Sequence, residues 1–166
     1  MKTSLIILTY NDGGRTYDLV SKIYGYRAFD DIILVNNAST DDTQSLLEKA
    51  QMLAPGKIHV ICTAENGGYA KGNNFGALYA LKNLDPDLIF IANPDTFFTE
   101  ETVLAMKKAP GDGSQQAGIH PVELYSFIAL CQASAIHGMK IWRVYAVHLI
   151  INSFGYMIFS GVPSFS

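Results

Sequence analysis

Short apolar runs alternate with stretches of helical length over the first two thirds of the chain. The runs lie at residues 5–8, 32–35, 58–62 and 88–91, and each is bounded by polar residues. This pattern is typical of strands that are covered on both faces. Helices are predicted between and after them, at residues 15–24, 41–53, 70–84 and 100–108. The alternation predicts an α/β, Rossmann-like fold, with a mainly parallel sheet and helices on both faces.

The alternating pattern ends near residue 110. Residues 122–162 are strongly apolar and contain only three charged side chains. We therefore predict one domain over residues 1–110 and a separate apolar C-terminal segment over residues 111–166. Residues 144–162 contain no Asp, Glu, Lys or Arg and approach the length that crosses a bilayer. A membrane-associated tail, a packed helix or strand pair, and an artificial or out-of-frame end are the three alternatives for this segment.

The overall charge argues against nucleic acid as a partner. Twelve Lys and Arg residues face fifteen Asp and Glu residues, which gives a formal net charge of -3 and a pI near 5.7. A surface that binds a phosphate backbone is normally basic. The two cysteines, Cys62 and Cys131, lack the spacing of a disulfide framework or a redox motif. We expect a reducing, cytoplasmic location, at the inner face of the membrane if the tail is membranous.

The loop after the first predicted strand, at residues 9–14, is polar. It offers the hydroxyl of Thr9, the ring of Tyr10 and the amide of Asn11. In parallel α/β sheets ligands bind beyond the carboxyl ends of the strands, which is where this loop lies. The alternative is an ordinary Asn-Asp-Gly-Gly turn without a ligand.

The loop after the second predicted strand, at residues 36–43, begins with two consecutive amides, Asn36 and Asn37. Ser39 and Asp41 are explained by capping of the following helix, because their side chains can accept hydrogen bonds from its first N–H groups. Capping does not explain the two amides. This loop therefore favours a binding role.

The loop after the fourth predicted strand carries Asn93, Pro94, Asp95 and Thr96. Residues two apart on an extended segment project to the same side, so Asn93 and Asp95 can reach one ion or one diphosphate. Mg²⁺ or Mn²⁺ needs few protein carboxylates when phosphate oxygens complete its coordination. An Asx-Pro turn that closes the strand is the structural alternative.

Three glycines recur every four residues at the start of the third predicted helix. Gly68, Gly72 and Gly76 therefore form one smooth strip that a ligand or the sheet can approach closely. Each glycine inside a helix costs about 0.5–1 kcal/mol relative to alanine, so the strip requires a reason. Its spacing differs from the GxGxxG of dinucleotide-binding folds.

Taken together, these segments resemble glycosyltransferase family 2, in particular the rhamnosyltransferase-like branch that carries an N-P-D-T type loop. The matching segments are residues 8–11, 35–43, 66–76 and 93–96, which follow the family's order. The resemblance covers roughly residues 3–108. It implies a GT-A fold, transfer with inversion at the anomeric carbon, and Mg²⁺ or Mn²⁺ bridging the diphosphate of the donor.

The resemblance also implies roles for individual residues. Thr9 and Tyr10 would line the base pocket, Asn36 would face the base or ribose, and Asp95 would bind the metal. Asn93 stands where many relatives have the first Asp of a DxD motif. The donor would be a dTDP- or UDP-sugar and the acceptor a glycan or a lipid-linked glycan. The residues predicted to bind the nucleotide sugar are Thr9, Tyr10, Asn11, Asn36, Asn37, Ser39, Asp41, Gly68, Lys71, Asn74, Asn93 and Asp95.

Two departures from the family pattern shape the functional hypotheses. Position 36 is usually Asp in the family, and no acidic motif that could supply a general base follows Thr96, so no catalytic residue is assigned. The first hypothesis is an active glycosyltransferase of polysaccharide, cell-wall or glycolipid assembly. The second is a truncated nucleotide-sugar-binding fragment or pseudoenzyme, and the third is a membrane-attached interaction protein.

Overall fold

A computed structural model describes residues 1–108 of the chain. The strands are β1 (Thr3–Thr9), β2 (Asp31–Asn36), β3 (Ile58–Cys62) and β4 (Leu88–Ala92). The helices are α1 (Gly13–Ile23), α2 (Thr43–Gln51), α3 (Gly68–Asn83) and α4 (Glu100–Lys108). None of these four helices has the length and apolar character of a membrane span. The predicted C-terminal segment at 111–166, with its three alternatives, lies outside the described residues.

The strands form one sheet in the order β3-β2-β1-β4, and every neighbouring pair is parallel. Helices cover both faces of the sheet, as predicted from the alternating runs. β1 and β2 are buried along their whole length. The predicted strands are three residues short in β1 and two in β2, because polar residues at the ends of both strands are buried in the sheet as well. The strand predicted at 88–91 is one residue short of β4, which ends at Ala92.

One face of the sheet is covered by α1, α2 and α4. Its core contains Leu5, Ile7 and Ile32 from the strands together with Val20, Leu47 and Val103 from the three helices. The ring of Phe29 packs edge-on against Phe90 and Phe98, with ring centroids 5.7 and 5.9 Å away. Because Phe90 lies on β4 and Phe98 follows the loop after it, this cluster anchors that loop to the core.

The opposite face of the sheet is covered by α3, and two of its glycines touch the sheet directly. A Cβ atom on Gly72 would lie 2.4 Å from Leu8 Cδ1, and one on Gly76 would lie 2.8 Å from Ile6 Cγ2. The sheet therefore approaches both glycines closely. Close packing of α3 on the strands explains why glycine is present at these two positions despite its low helix propensity.

The connection order creates a crevice at one edge of the sheet. From β1 the chain first builds outward to β2 and β3, and then returns to place β4 on the other side of β1. The direction of the connections thus reverses between β1 and β4, which are neighbours in the sheet. Open α/β sheets bind their ligands at such a switch point.

Gly14, the second residue of α1, is a position where alanine should stabilise the domain. It is exposed, and a Cβ atom there would meet nothing within 4 Å. Gly14→Ala is expected to raise the free energy of unfolding by about 0.5–1 kcal/mol, measured by urea denaturation. The matched variant is Gly13→Ala, whose Cβ would lie 2.7 Å from the Thr43 Cα and should destabilise. Equal stabilities of the two variants would contradict this packing of α1 on α2.

Candidate functional site

An open cleft of about 460 Å³ lies at the switch point between β1 and β4. Four loops line it: those after β1, β2 and β4, and the one before α3. Its lining residues are Leu8, Tyr10, Asp12, Arg15, Asn37, Asn66, Gly68, Tyr69, Asn93, Pro94 and Asp95. The predicted convergence of polar strand ends at one edge of the sheet is thus present in the structure.

The loop after β4 is a tight turn that presents Asp95. The Thr96 N–H donates to the Asn93 carbonyl at 3.1 Å, and the Asn93 N–H donates to the Thr96 hydroxyl at 3.1 Å. These reciprocal bonds hold Pro94 and Asp95 at the tip of the turn, where Pro94 has the backbone preference of a turn residue. Thr96 is buried whereas Asp95 is exposed on the cleft wall. The structure therefore combines the Asx-Pro turn with an accessible carboxylate.

The loop after β1 is fixed to the loop after β2 through Asn11. Its backbone has a φ of 50°, a left-handed conformation that asparagine adopts more readily than most residues. The Asn11 N–H donates to the Ser39 hydroxyl at 3.0 Å, and its side-chain oxygen accepts from the Thr40 N–H at 2.8 Å. Asn11 and Ser39 thus connect two loops outside the cleft wall. Tyr10, 47% exposed, lies on the wall itself.

The two consecutive amides after β2 have different positions. Asn36 is 5% exposed; its Nδ2 donates to Gln44 at 2.8 Å and its Oδ1 accepts from the Ser39 N–H at 2.9 Å. Asn37 is also buried, but it lines the cleft and donates to the Asn66 side chain at 2.9 Å. Asn37 therefore ties the cleft wall to the loop before α3, while Asn36 braces its own loop.

Thr9, the last residue of β1, is 1% exposed and its hydroxyl lies 2.8 Å from that of Thr16 on α1. The Thr9 carbonyl accepts from the Asn37 N–H at 2.8 Å. The side chain predicted for the base pocket is thus packed between β1 and α1. A direct contact of Thr9 or Asn36 with a nucleotide stays a prediction.

Thr9→Val separates the packing role of this residue from a binding role. Removing the buried hydroxyl bond should lower the free energy of unfolding by about 1 kcal/mol. The affinity for a nucleoside diphosphate should stay within about threefold of the wild type, because a threefold change is well under 1 kcal/mol. Isothermal titration calorimetry measures the affinity, and a tenfold loss would show that Thr9 does contact the ligand.

Asp41 lies at the start of α2, away from the cleft wall. Its carboxylate accepts from the Thr43 N–H at 3.0 Å. Hydrogen bonding by the Thr43 hydroxyl and N–H lowers the pKa of Asp41. Asp41 therefore satisfies an N–H at the start of α2 as the sequence predicted, although the N-cap residue is Asp42. The predicted capping by Ser39 is wrong, because its hydroxyl accepts from the Asn11 N–H instead. A nucleotide contact of Asp41 stays a prediction.

The segment that begins α3 divides between the cleft and a neighbouring cavity of about 180 Å³. Gly68 lines the cleft and has a φ of 78°, which L side chains rarely adopt. Lys71 and Phe75 line the smaller cavity, and Asn37 lines both. Asn74 is exposed and lies on neither wall. The two recesses are therefore adjacent and share one polar side chain.

Sequence reasoning missed an ion pair on the cleft wall. Arg15 Nε donates to Asp12 Oδ1 at 2.8 Å, and both side chains line the cleft together with Asp95. Tyr69 and Asn66 were also missed. Burial raises the pKa of Tyr69, and the charge of Asp95 adds to the rise, so the phenol stays neutral near that carboxylate.

The cleft supplies the type of ligand that a hard divalent cation prefers. Asp95 and Asn93 offer a carboxylate and an amide on one turn, and oxygen donors suit Mg²⁺ and Mn²⁺. Within residues 1–108, no group of three or more His, Cys, Asp or Glu side chains could hold an ion without further ligands. These residues fit a cation whose coordination is completed by the oxygens of a bound phosphate.

A family model described as "Glycosyl transferase family 2" matches residues 4–114, more than half of the chain. The chain belongs to the family 2 glycosyltransferases. The match contains all four loops of the cleft. It agrees with the resemblance carried by the four sequence segments and with the parallel sheet.

Two proteins that are similar to this chain are longer than it is. The chain is 30% identical over 100 residues to the low-salt glycan biosynthesis hexosyltransferase Agl10 of Haloferax volcanii, covering 60% of this chain and 30% of that protein. The mannosyltransferase PcManGT of Pyrobaculum calidifontis, solved with GDP-Man and Mn²⁺, superposes with a TM-score of 0.56 at 22% identity. That superposition covers 66% of this chain and 33% of PcManGT, and it shows a shared GT-A fold.

A third similarity involves S. aureus TarS 1-349, solved in complex with UDP-GlcNAc. It has a TM-score of 0.49 at 25% identity, over 64% of this chain and 30% of TarS 1-349. The family 2 domain described here therefore spans about a third of the length of each relative.

Proposed function

We propose that this domain binds the nucleoside diphosphate of a nucleotide-sugar donor in the cleft between β1 and β4. It does so with Mg²⁺ or Mn²⁺, as the donor-binding part of a glycosyltransferase. The observation that carries the proposal is the position of Asp95, an exposed carboxylate at the switch point of a family 2 domain. The donor would be a dTDP-, UDP- or GDP-hexose, and the acceptor a glycan or glycolipid.

Each part of the cleft has a role in this proposal. Asp95, held at the tip of its turn by Asn93 and Thr96, would bind the cation. A divalent cation stabilises the negative charge that collects on a departing diphosphate. Tyr10 and Tyr69 line the cleft with aromatic surface that can exclude water from the bound donor. The adjacent cavity beside Phe75 offers an apolar ring on which a planar base can stack.

A second candidate function is donor binding without transfer. An inverting transfer needs a base within hydrogen-bonding reach of the acceptor hydroxyl. Of the described residues that line the cleft, only Asp12 and Asp95 are acidic; the first is paired with Arg15 and the second is proposed to bind the cation. The described residues that line the cleft therefore offer no third carboxylate for the base. The chain itself spans about a third of the length of the relatives that it matches.

Calorimetric titration of the chain with UDP, dTDP and GDP tests the proposal. We expect one of the three to bind in the presence of Mn²⁺ and to lose at least about tenfold in affinity with EDTA, a difference of about 1.4 kcal/mol. The corresponding nucleoside should be insensitive to EDTA, because it has no phosphate to share the cation. Absence of binding by all three diphosphates would overturn the proposal.

Radiolabelled nucleotide sugars then separate the two candidate functions. Slow hydrolysis or transfer by the chain would support an active glycosyltransferase. Metal-dependent binding without any turnover would support the donor-binding fragment. Release of the anomer opposite to that of the donor would support inversion.

A further inference from the structure

A single divalent cation at Asp95 would not balance the negative charge in the cleft once a diphosphate is bound. Of the described residues that line it, Asp12 and Asp95 are acidic and Arg15 is the one basic side chain. A diphosphate brings further negative charge into this space. A divalent cation would offset the charge of Asp95 and only part of the charge of the diphosphate, so with Asp12 on its wall the cleft would still carry net negative charge. A fixed positive side chain is needed beside them.

Arg15 occupies a position that helix stability does not favour. It is the third residue of α1, in the first turn, where the helix dipole is positive and cations are unfavourable. Asp12 is the N-cap residue, yet its side chain makes no capping hydrogen bond to the helix. Instead, its Oδ1 accepts from Arg15 Nε at 2.8 Å. The carboxylate therefore holds the arginine in place of capping the helix.

This pairing leaves most of the guanidinium available. Arginine has five N–H donors, and the bond to Asp12 uses the one on Nε. Within residues 1–108 the side chain makes no other hydrogen bond, and it is 68% exposed. The two Nη groups form a planar fork that matches two phosphate oxygens.

Arg15 is also close enough to Asp95 for their charges to interact. Hydrogen bonding to Asp12 and the charge of Asp12 raise the pKa of Arg15, and the charge of Asp95 raises it further. The two side chains line the same cleft, so one bound diphosphate can lie within reach of both.

We propose that Arg15 binds the diphosphate of the donor directly through its Nη groups, with Asp12 as the residue that positions it. This inference rests on the proposed function, since it names a second contact for the same ligand. In this arrangement Asp95 would bind the diphosphate through the cation, and Arg15 would donate hydrogen bonds to phosphate oxygens that the cation does not bind. Asp12 fixes the guanidinium through Nε and thereby lowers the conformational entropy lost on binding.

Arg15→Gln tests this assignment against the alternative of a solvated ion pair on the helix surface. With Mn²⁺ present, the variant should bind the nucleoside diphosphate about tenfold more weakly than the wild type, as expected for the loss of charged hydrogen bonds. Its affinity for the nucleoside, which carries no phosphate, should be unchanged. Arg15→Lys should recover part of the loss, and Asp12→Asn should lose about threefold because the guanidinium is less well oriented.

The matched control is Lys22→Gln, which removes one positive charge from the last turn of the same helix, at an exposed position. It should bind the diphosphate like the wild type, and thermal unfolding should show that all variants are folded. If Arg15→Gln and Lys22→Gln both bind like the wild type, the assignment of Arg15 is wrong while donor binding stands. If the wild type itself binds no diphosphate, the proposed function fails, and the role of Arg15 fails with it.

Discussion

Asp95→Asn is expected to remove the metal-dependent part of nucleotide binding. The amide has nearly the same size as the carboxylate but carries no charge, and a hard cation binds an uncharged amide oxygen much more weakly. With Mn²⁺ present, affinity for the preferred diphosphate should fall about 100-fold, or roughly 2.8 kcal/mol, to the value that the wild type shows in EDTA. Calorimetric titration with and without Mn²⁺ measures both values.

The stability of the domain should change little in this variant. Asp95 is exposed at the tip of a turn whose reciprocal hydrogen bonds involve Asn93 and Thr96 rather than its own carboxylate. Substitutions at such surface positions usually alter the free energy of unfolding by less than about 0.5 kcal/mol. Asp18→Asn, an exposed position on α1, is the matched control for the lost charge. An Asp95→Asn protein with full Mn²⁺-dependent affinity would remove Asp95 from the metal site.

The sheet could be predicted from the sequence because its strands are covered on both faces. A strand buried on both sides is apolar at most central positions, so it appears as a continuous run that no amphipathic helix shows. Residues 32–35 and 88–91 are such runs, and both lie within observed strands. The helix ends were less exact. The predicted start of α1 at residue 15 missed Gly13, whose N–H is bound by the Thr43 hydroxyl across a tertiary contact.

After β1 and β2 the sequence singled out both the last strand residue and the residue that follows it, and only the second of each pair lines the cleft. Thr9 and Asn36 are paired in the register of β1 and β2 and are both buried. The residues that follow them, Tyr10 and Asn37, line the cleft. Successive side chains alternate in direction, so the prediction depended on where each strand ends. Hydrogen bonds such as that of Asn36 to Gln44 decide that end, and no local pattern reveals them.

Arg15 was not predicted as a site residue, because the sequence analysis placed it only as the first residue of the helix predicted at 15–24. The signal was nevertheless present in the sequence. An arginine in the first turn opposes the helix dipole, and an aspartate three residues earlier would normally cap the helix rather than pair with a side chain. At the carboxyl edge of a parallel sheet, where ligands bind, an arginine of this kind indicates an anionic ligand. Asp12 and Arg15 together meet both conditions.

Gly76→Val is expected to destabilise the domain by about 3 kcal/mol, at the upper end of the range for overpacked cores. A Cβ atom at this position would already lie 2.8 Å from Ile6 Cγ2 and 2.9 Å from Val35 Cγ2, and valine adds two methyl groups beyond it. Ile6 and Val35 are fully buried in β1 and β2, so they cannot move aside into solvent. The helix must therefore lift off the sheet. Chemical denaturation of the variant and the wild type measures the loss.

The matched control introduces the same residue on the exposed side of the same helix. Leu78 is 48% exposed, and Leu78→Val should cost only a few tenths of a kcal/mol through helix propensity. A similar cost at both positions would mean that α3 does not pack on the sheet as described. Displacement of α3 should also weaken nucleotide binding, because Gly68 and Tyr69 at its start form part of the cleft wall. A Gly76→Val protein that is destabilised but still binds with full affinity would show that the start of α3 is held by its loop, through bonds such as that between Asn37 and Asn66.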